Sequence, residues 1–535
     1  MKTLAIGVQT FENIIKSDSV YVDKTAVLYK LLEGKNQKRY FFSRPRRFGK
    51  SLTCSTLESI FTPRKDLFKD LWIGQSDYDW QEYPIVMLDF GDMAYENPEQ
   101  LKHSLCLRLR AVGQKHGIDL SDEKDPSNLV WALFPKLAEK SKIVFLVDEY
   151  DKPILDHIEN IPMANAIRDV LQKFYSSIKS NDRYIQFMFV TGVSKFAKTA
   201  LFSGFNNLKD LSQDTIAAEL VGYTKQEIEL YFAEYLGWAS KSMKLSHDEL
   251  MNEIARWYDG YQFTKETEFE VSPDQVKLIP KMYSPVSVMK FLERRSFSNY
   301  WFETGTPTYL VKTIRGRNLD TSWLQHLQDY EVGDSVFGSF ELDNLPLDSL
   351  LYQAGYLTID RYDPIRQTVF LRYPNHEINV SLNSYLLADK IELNENRLRP
   401  LIADIEQSLR TADMSLLCRA LGLLFANIPY QLHVKQERYY HSLIQMIMML
   451  VGADIQSEVS MATGRIDMVV RVKERIFVLE FKFDKTAQEA MDQILEKRYY
   501  EKYQHEAKPI ILVGLSFNYE NKKLIVPYVV QQMPA

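Results

Sequence analysis

Cysteine is scarce, with three residues in 535, at Cys54, Cys106 and Cys418 and with no CxxC pair. That spacing excludes a disulfide scaffold and a structural zinc site, and it fits a reducing compartment. Long apolar runs are also missing. The most apolar helical pattern, residues 441–453, spans about a dozen residues and carries Gln445, whereas a membrane span needs about twenty. A short apolar patch at residues 1–8 is interrupted by Gln9, Thr10 and Glu12 before a signal-peptide core forms. We therefore expect a cytoplasmic protein with no targeting segment and no membrane contact. Net positive charge is absent too: 65 Lys and Arg stand against 71 Asp and Glu, a balance of −6. This argues against a protein that coats nucleic acid along its whole length, while leaving room for a local basic groove. Neither a fixed-period repeat nor a low-complexity tract is present.

What is there is ordinary globular material, 45% hydrophobic and 25% charged. The length exceeds one hydrophobic core and suggests three or four domains of about 150 residues. Short, nearly all-apolar runs alternate with longer helical patterns at residues 39–43 (RYFFS), 84–90 (PIVMLDF), 143–147 (IVFLV) and 185–191 (IQFMFVT). Such runs fit strands buried on both faces of a parallel α/β sheet. Residues 224–261 turn helical and rich in Tyr and Trp, and 265–281 reads as a polar loop or boundary. β-like segments follow at 356–360 and 368–373, then a linker at 394–402. The last stretch reads as a hairpin block at 457–483, a helix at 486–503 and a strand at 509–515. Residues 374–375 look like a turn, and nothing between 311 and 400 suggests chemistry.

The segment Ser43-Arg44-Pro45-Arg46-Arg47-Phe48-Gly49-Lys50-Ser51 follows the first of these strands and opens a helix predicted over residues 51–61. At such a turn, backbone N–H groups and the helix N-terminus face a phosphate. Lys50 adds a point charge and the Ser51 hydroxyl reaches Mg2+. Arg44 departs from the GxxxxGK[ST] pattern, which has glycine there. The third strand runs into Asp148-Glu149-Tyr150-Asp151, and carboxylates at the C-terminal edge of a buried parallel strand lie where such sheets bind ligands. Asp148 is expected to hold Mg2+ through water and Glu149 to polarise the attacking water. The fourth strand ends in Thr191, with Ser194 soon after, where a γ-phosphate sensor would lie. Each piece alone has a bland explanation. Together, at the ends of three buried strands, they point to an ATP-binding domain.

These residues carry a family resemblance as well. YVDKT at 21–25, SRPRRFGKS at 43–51, FLVDEYDKP at 145–153 and TGVSKF at 191–196 resemble the bacterial AAA-ATPase-like family. WYDGYQF at 257–263 and YSPVSV at 283–288 extend the likeness, which covers roughly residues 5–310. That family has an arginine-rich phosphate loop without the first glycine, so Arg44 fits its pattern. The resemblance implies a P-loop core of the class with an extra catalytic Glu, followed by a helical lid; we divide the chain into a core over residues 1–223, a lid over 224–320 and a connecting α+β region over 321–398. Arg46, Arg47, Phe48, Gly49, Lys50, Ser51, Asp148 and Thr191 are the nucleotide contacts it implies. Arg46 and Arg47 would touch this chain's nucleotide or that of a second copy in a homo-oligomer, or else form salt bridges on a solvated loop.

A second constellation lies near the C-terminus. Residues 464–470 (GRIDMVV) and 476–482 (IFVLEFK) read as strands joined near Lys473-Glu474. An even-numbered loop there makes paired positions sum to 947, setting Asp467 opposite Glu480, Ile466 opposite Phe481, Met468 opposite Leu479 and Val470 opposite Phe477. One face is then apolar, while the other carries Asp467, Glu480 and Lys482 beside Val469 and Val478. Directly paired Cβ atoms lie about 5 Å apart, so two carboxylates there repel unless a cation binds between them. With a lysine they suit Mg2+ and a hydrolytic water. The block lies in a domain we bound at residues 399–535, and over roughly 400–525 it resembles a PD-(D/E)XK nuclease domain with a helix, three strands, helix and strand core. The resemblance makes Asp467 and Glu480 metal ligands, Lys482 the catalytic lysine and Gln493 a supporting helix residue. Glu437 and Glu458 are further acidic candidates. Arg471, Arg475, Lys485, Lys497, Arg498 and Lys502 would meet nucleic-acid phosphates. The expected activity is an ATP-controlled, metal-dependent nuclease acting on DNA or RNA. The alternative is a nucleotide-driven switch or partner-binding protein whose nuclease-like domain is catalytically silent.

Overall fold

The short apolar runs become strands because β-branched and aromatic side chains fill a sheet covered on both faces. In the computed structural model they are β1 (Arg39–Ser43), β2 (Ile85–Asp89), β3 (Ile143–Asp148) and β4 (Ile185–Gly192), joined by a short β5 (Lys209–Asp210). The structure describes residues 1–34, 38–195, 198–202, 205, 207–272, 275–305, 327, 330–340, 346–390, 395–426, 437–451, 454–461, 464–520 and 523–533. All five strands run parallel in the order β2-β3-β4-β1-β5. Every residue of β3 is buried. Placing β4 between β1 and β3 sets the strand ends in a row: Asp89 beside Asp148, then Thr191 and Gly192 beside Phe42 and Ser43.

Helices between the strands begin where the sequence supplies caps. After α1 (Thr25–Leu32) and α2 (Lys50–Phe61) come α3 (Pro98–Lys115), α4 (Pro126–Leu137) and α5 (Ile161–Ser180). Asn97, Asp125 and Asn160 accept from first-turn N–H groups, each with a proline at the first or second helical position. Ile167, Leu171, Phe174 and Ile178 of α5 recur at helical spacing and are all buried. The aromatic stretch forms α6 (Lys225–Tyr231), α7 (Ala233–Met243) and α8 (His247–Tyr258). Capping boxes at Thr224/Glu227 and Ser246/Glu249 start the first and third. With α9 (Pro285–Arg294) they enclose a core of Phe232, Leu236, Leu250, Ile254, Tyr258 and Phe291, which Val22 joins.

Residues 265–281, expected as a loop, hold a two-stranded hairpin, β6 (Glu268–Ser272) and β7 (Gln275–Leu278). An antiparallel sheet follows in the order β8-β10-β9, from β8 (Glu331–Gly333), β9 (Thr358–Asp363) and β10 (Thr368–Arg372), with α10 (Leu347–Ala354). By internal contacts residues 1–319 and 328–377 form one compact unit, and 320–327 with 378–535 form the other. The chain passes from the first to the second inside α11 (His376–Lys390). The stretch expected as a linker is helical from Glu395 to Thr411 despite Pro400, because good helix formers flank the proline.

The second unit is built on helix α12 (Glu437–Leu450), strands β11 (Asp454–Met461), β12 (Gly464–Arg471) and β13 (Ile476–Phe483), helix α13 (Ala487–Lys497) and strand β14 (Ile510–Glu520). β15 (Lys523–Ile525) and β16 (Tyr528–Met533) complete it. β11, β12 and β13 form an antiparallel meander, while β14 lies parallel to β13 through the α13 crossover. β16 extends the sheet beyond β14. The helix expected to reach Tyr503 ends at Lys497, where Arg498 turns left-handed at φ 51°, and Tyr500 falls in a following 3-10 segment. All three cysteines are buried free thiols. Among the described residues no helix is long and apolar enough to cross a membrane.

Replacing fully buried Leu146 of β3 by Ala should cost about 2–5 kcal/mol. Ile365→Lys, at a site 93% exposed, should stay within about 0.5 kcal/mol of the parent. Urea unfolding midpoints compare the two; equal shifts would contradict this core.

Candidate functional site

The phosphate-loop segment leaves β1 and returns as α2. Its turn uses left-handed backbone at Arg47 (φ 63°) and Gly49 (φ 106°), which brings successive N–H groups toward one concavity. Arg44 points the other way. Its buried guanidinium donates to the carbonyls of Ser43 (2.9 Å), Ser212 (2.9 Å) and Ala217 (3.2 Å). It also lies 4.5 Å and 4.3 Å from the ring centroids of Phe42 and Phe263. A glycine here would leave those acceptors empty. The Phe48 ring is likewise withdrawn, packed edge-on against Tyr261 and Phe263.

A cavity of about 450 Å3 opens on the loop. Arg46, Arg47, Phe48, Gly49, Lys50 and Ser51 line it together with Glu149 and Lys152. Its apolar wall comes from Val8, Val20, Val22, Leu220, Val221 and Met289. Within the motif at 21–25, Asp23 accepts from Thr25 and from the Trp72 N–H. Lys24 pairs with Glu227 at 2.6 Å, tying this wall to the first turn of α6. Lys50 is buried, and its ammonium donates to the Arg44 and Pro45 carbonyls at 2.9 Å each. Burial pulls its pKa down, against the opposing pull of Asp148, Glu149 and Asp151. Burial also raises the Glu149 carboxyl above the usual carboxylate range. Arg46 Nε is buried without a partner among the described residues. An orphaned guanidinium N–H, an ammonium resting on its own loop's carbonyls and a helix N-terminus together fit a phosphate-bearing ligand.

Asp148 and Thr191 lie behind this lining. Thr191 donates its hydroxyl to Asp148 Oδ1, which also accepts the Glu149 N–H at 3.1 Å. Ser194 is tied to Asp151, whose carboxylate accepts its hydroxyl and its N–H at 2.8 Å each. Sequence reasoning passed over Asp89, although its strand, Ile85–Asp89, ends in a carboxylate just as Ile143–Asp148 does. The cavity's N-terminal wall left no signal beyond the motif at 21–25.

In the second unit the turn is two residues, Lys473 and Glu474, and the ladder pairs 468 with 479, 469 with 478, 470 with 477 and 471 with 476. The sum of 947 holds there. It does not extend to 467 and 480, because the Asp467 carboxylate itself accepts the Phe481 N–H at 2.8 Å and ends the pairing. Val469 and Val478 are buried under Met491 and Ile494 of α13. That helix crosses β14 at Gly514, the neighbour of Glu480, where a Cβ would stand 2.5 Å from the Ala487 carbonyl oxygen. The approach brings Gln493 onto Glu480. Glu480, 1% exposed, accepts at Oε1 from both Gln493 and Lys482, the latter at 3.1 Å. Its Oε2 is buried without a partner among the described residues. Burial first, then the Asp467 charge, push its pKa up to about 8 despite Lys482. A buried carboxylate oxygen lacking a donor, next to a second carboxylate, fits a divalent cation.

Among the described residues no third Asp, Glu, His or Cys joins this pair. Glu437 opens α12 and Glu458 lies on β11, but their side chains fall outside the described residues. Of the basic residues expected nearby, Arg471 pairs with Glu506, Lys497 with Glu496 and Arg498 with Glu501. Lys485 and Lys502 are exposed.

Comparison with known proteins finds a family model at each end of the chain. Residues 5–202 match the family model described as a predicted AAA-ATPase, and residues 435–526 match that of the PD-(D/E)XK nuclease superfamily. The chain is also 33% identical over 549 residues to an uncharacterized protein in the vnfD 5' region of Azotobacter chroococcum mcd 1, covering 99% of each. The chain belongs to the AAA-ATPase-like proteins that carry a C-terminal PD-(D/E)XK nuclease superfamily domain.

A carboxyl raised in the folded state stabilises the fold while protonated. The unfolded Glu480 ionises near the ordinary value of about 4.3, the folded one near 8. Stability should therefore fall as pH rises between these values, by at most about 1.4 kcal/mol per pH unit. Glu480→Gln should flatten that slope in denaturant titrations at pH 5–8 without divalent cation; parallel slopes would contradict the raised pKa.

Proposed function

We propose that the first unit binds and hydrolyses ATP, and that the second is a metal-dependent nuclease for DNA or RNA phosphodiesters whose action the nucleotide controls. One observation carries the reading: in each site a charged side chain has a buried polar atom without a partner among the described residues, Nε of half-buried Arg46 in one and Oε2 of buried Glu480 in the other. The cavity has the volume of a small-ligand site, and its apolar wall suits a nucleobase. Lys50, Arg46 and the N–H groups at the start of α2 meet the phosphates. Glu149, raised by burial and lining the same cavity, takes the proton of the attacking water. Ser51 and Asp148 would hold Mg2+ there, and Asp467 and Glu480 would hold it in the second unit. When bound, Mg2+ supplies neutralisation of phosphate charge and a lowered pKa for water. Lys482 and Gln493 fix the orientation of Glu480, and Lys482 would steady the nucleophile. Buried free thiols suit a cytoplasmic setting.

A second reading, a nucleotide switch with a silent nuclease fold, is favoured by the acidic partners that occupy Arg471, Lys497 and Arg498. End-labelled DNA and RNA with Mg2+ or Mn2+, with and without ATP, separate the two. Cleavage should fall by about a hundredfold or more in Glu480→Ala and change its ATP dependence in Lys50→Ala. Glu149→Gln should keep ATP binding and lower hydrolysis by about 10²–10⁴. Cleavage that survives Glu480→Ala refutes the site; no cleavage with ATP still hydrolysed selects the switch.

A further inference from the structure

Two segments that neither reading uses, residues 257–263 (WYDGYQF) and 372–377 (RYPNHE), dock into each other. Gly260 sits at φ +102°, and a Cβ there would lie 2.0 Å from the Pro374 carbonyl oxygen, so the approach requires glycine. Asn375 Nδ2 donates to the Asp259 carbonyl at 2.9 Å and Arg372 Nη2 to the Gly260 carbonyl at 3.3 Å. His376 stands edge-on to the Trp257 ring, with centroids 4.5 Å apart.

The same block grips the phosphate loop. Tyr261 and Phe263 hold the Phe48 ring at centroid distances of 4.7 and 5.4 Å, and Phe263 faces the Arg44 guanidinium. Trp301 Nε1 donates to the Arg46 carbonyl at 2.9 Å, while the Trp301 backbone N–H donates to the Glu377 carboxylate. The other Glu377 oxygen accepts the Ser287 hydroxyl at 2.8 Å. Gly355, at φ +91°, abuts the Pro45 ring, where a Cβ would fall 2.7 Å from two ring carbons. Thus Arg44, Pro45, Arg46 and Phe48 are all held by residues between 257 and 377. The block ends at Glu377, the second residue of α11 and the last of the first unit; from Ile378 the helix belongs to the second.

We infer that this block transmits nucleotide occupancy from the phosphate loop to α11, and so to the nuclease-like unit. The inference rests on the reading that the loop binds nucleotide phosphate. A ligand shifts a conformational equilibrium only through contacts that differ between states. Here the differing contact is Lys50, whose ammonium rests on the Arg44 and Pro45 carbonyls. A phosphate oxygen is the stronger acceptor and draws the ammonium away. The two carbonyls released belong to the residues braced by Phe263 and Gly355, with Arg46 next in sequence on Trp301. Linkage makes the effect reciprocal, so a ligand of the second unit alters nucleotide affinity by the same factor.

Hydrogen exchange on the full chain, with and without saturating ATP and Mg2+, tests this, with ATP affinity measured on the same samples. Backbone amides of residues 257–263 and 378–388 should exchange about fivefold or more slowly with ATP bound, the lower end of typical couplings. Gly260→Ala should abolish the response at 378–388 while ATP still binds. Asn375→Ala, which removes one hydrogen bond, should weaken that response and serves if the glycine variant fails to fold. ATP bound with both segments unchanged, or both variants responding as the parent does, overturns the inference. ATP that does not bind at all overturns the proposed function instead.

Discussion

Arg44 occupies a loop position where glycine would need no accommodation, and its guanidinium, cut off from water, must find acceptors inside the unit. Burying an unpaired ion costs several kcal/mol. Three backbone carbonyls at its two terminal nitrogens and two aromatic faces offset much of that cost, with Nε left without a partner among the described residues. These contacts fix residues 212–217 beside the loop and draw Phe263, more than two hundred positions away, beneath it. Phe48 then packs on Phe263 and Tyr261, so the loop's aromatic residue is anchored by the same neighbours. The loop's shape is thus set from behind, and its front is left to Arg46, Lys50 and the start of α2.

Buried charges elsewhere show what complete and incomplete compensation look like. Burial would raise the Asp210 carboxyl, but Lys195 and Lys198, at 3.0 and 2.6 Å, hold it well below the usual range. Glu480 has one lysine, a glutamine and a neighbouring carboxylate, and its pKa goes the other way. The first arrangement is a finished ion-pair cluster. The second leaves a charge deficit that protonation relieves in the free protein and that a cation would relieve in its place.

Much of this was legible in the sequence where the signal is local. The four apolar runs matched the parallel strands nearly to the residue, with β3 buried throughout and the edge strand β2 alternating between buried and half-buried positions. The sum of 947 located the β12–β13 turn without a glycine signal, because an even-numbered loop centred on Lys473 and Glu474 fixes the pairing that the ladder adopts next to the turn. What escaped depends on pairs far apart in the chain. Nothing near Arg44 announces Ser212, Ala217 or Phe263, and nothing in residues 372–377 announces Gly260. The end of the ladder at Asp467 also escaped, since a side chain replacing a strand's acceptor looks the same in sequence as one beside it. Proline and polar content suggested a linker at 394–402, yet a single proline early in a helix of good formers did not stop it.

The three thiols have a consequence for how the molecule can be watched. Burial raises all of them, Cys418 to about 12, so the reactive thiolate is suppressed while the fold is closed. Cys54 lies on α2 directly behind the phosphate loop, Cys106 on α3, and Cys418 in the second unit. Alkylation of each thiol is therefore gated by local opening of its own surroundings. The chain carries three native chemical reporters of breathing, two in the unit with the loop and one in the unit with the carboxylate pair.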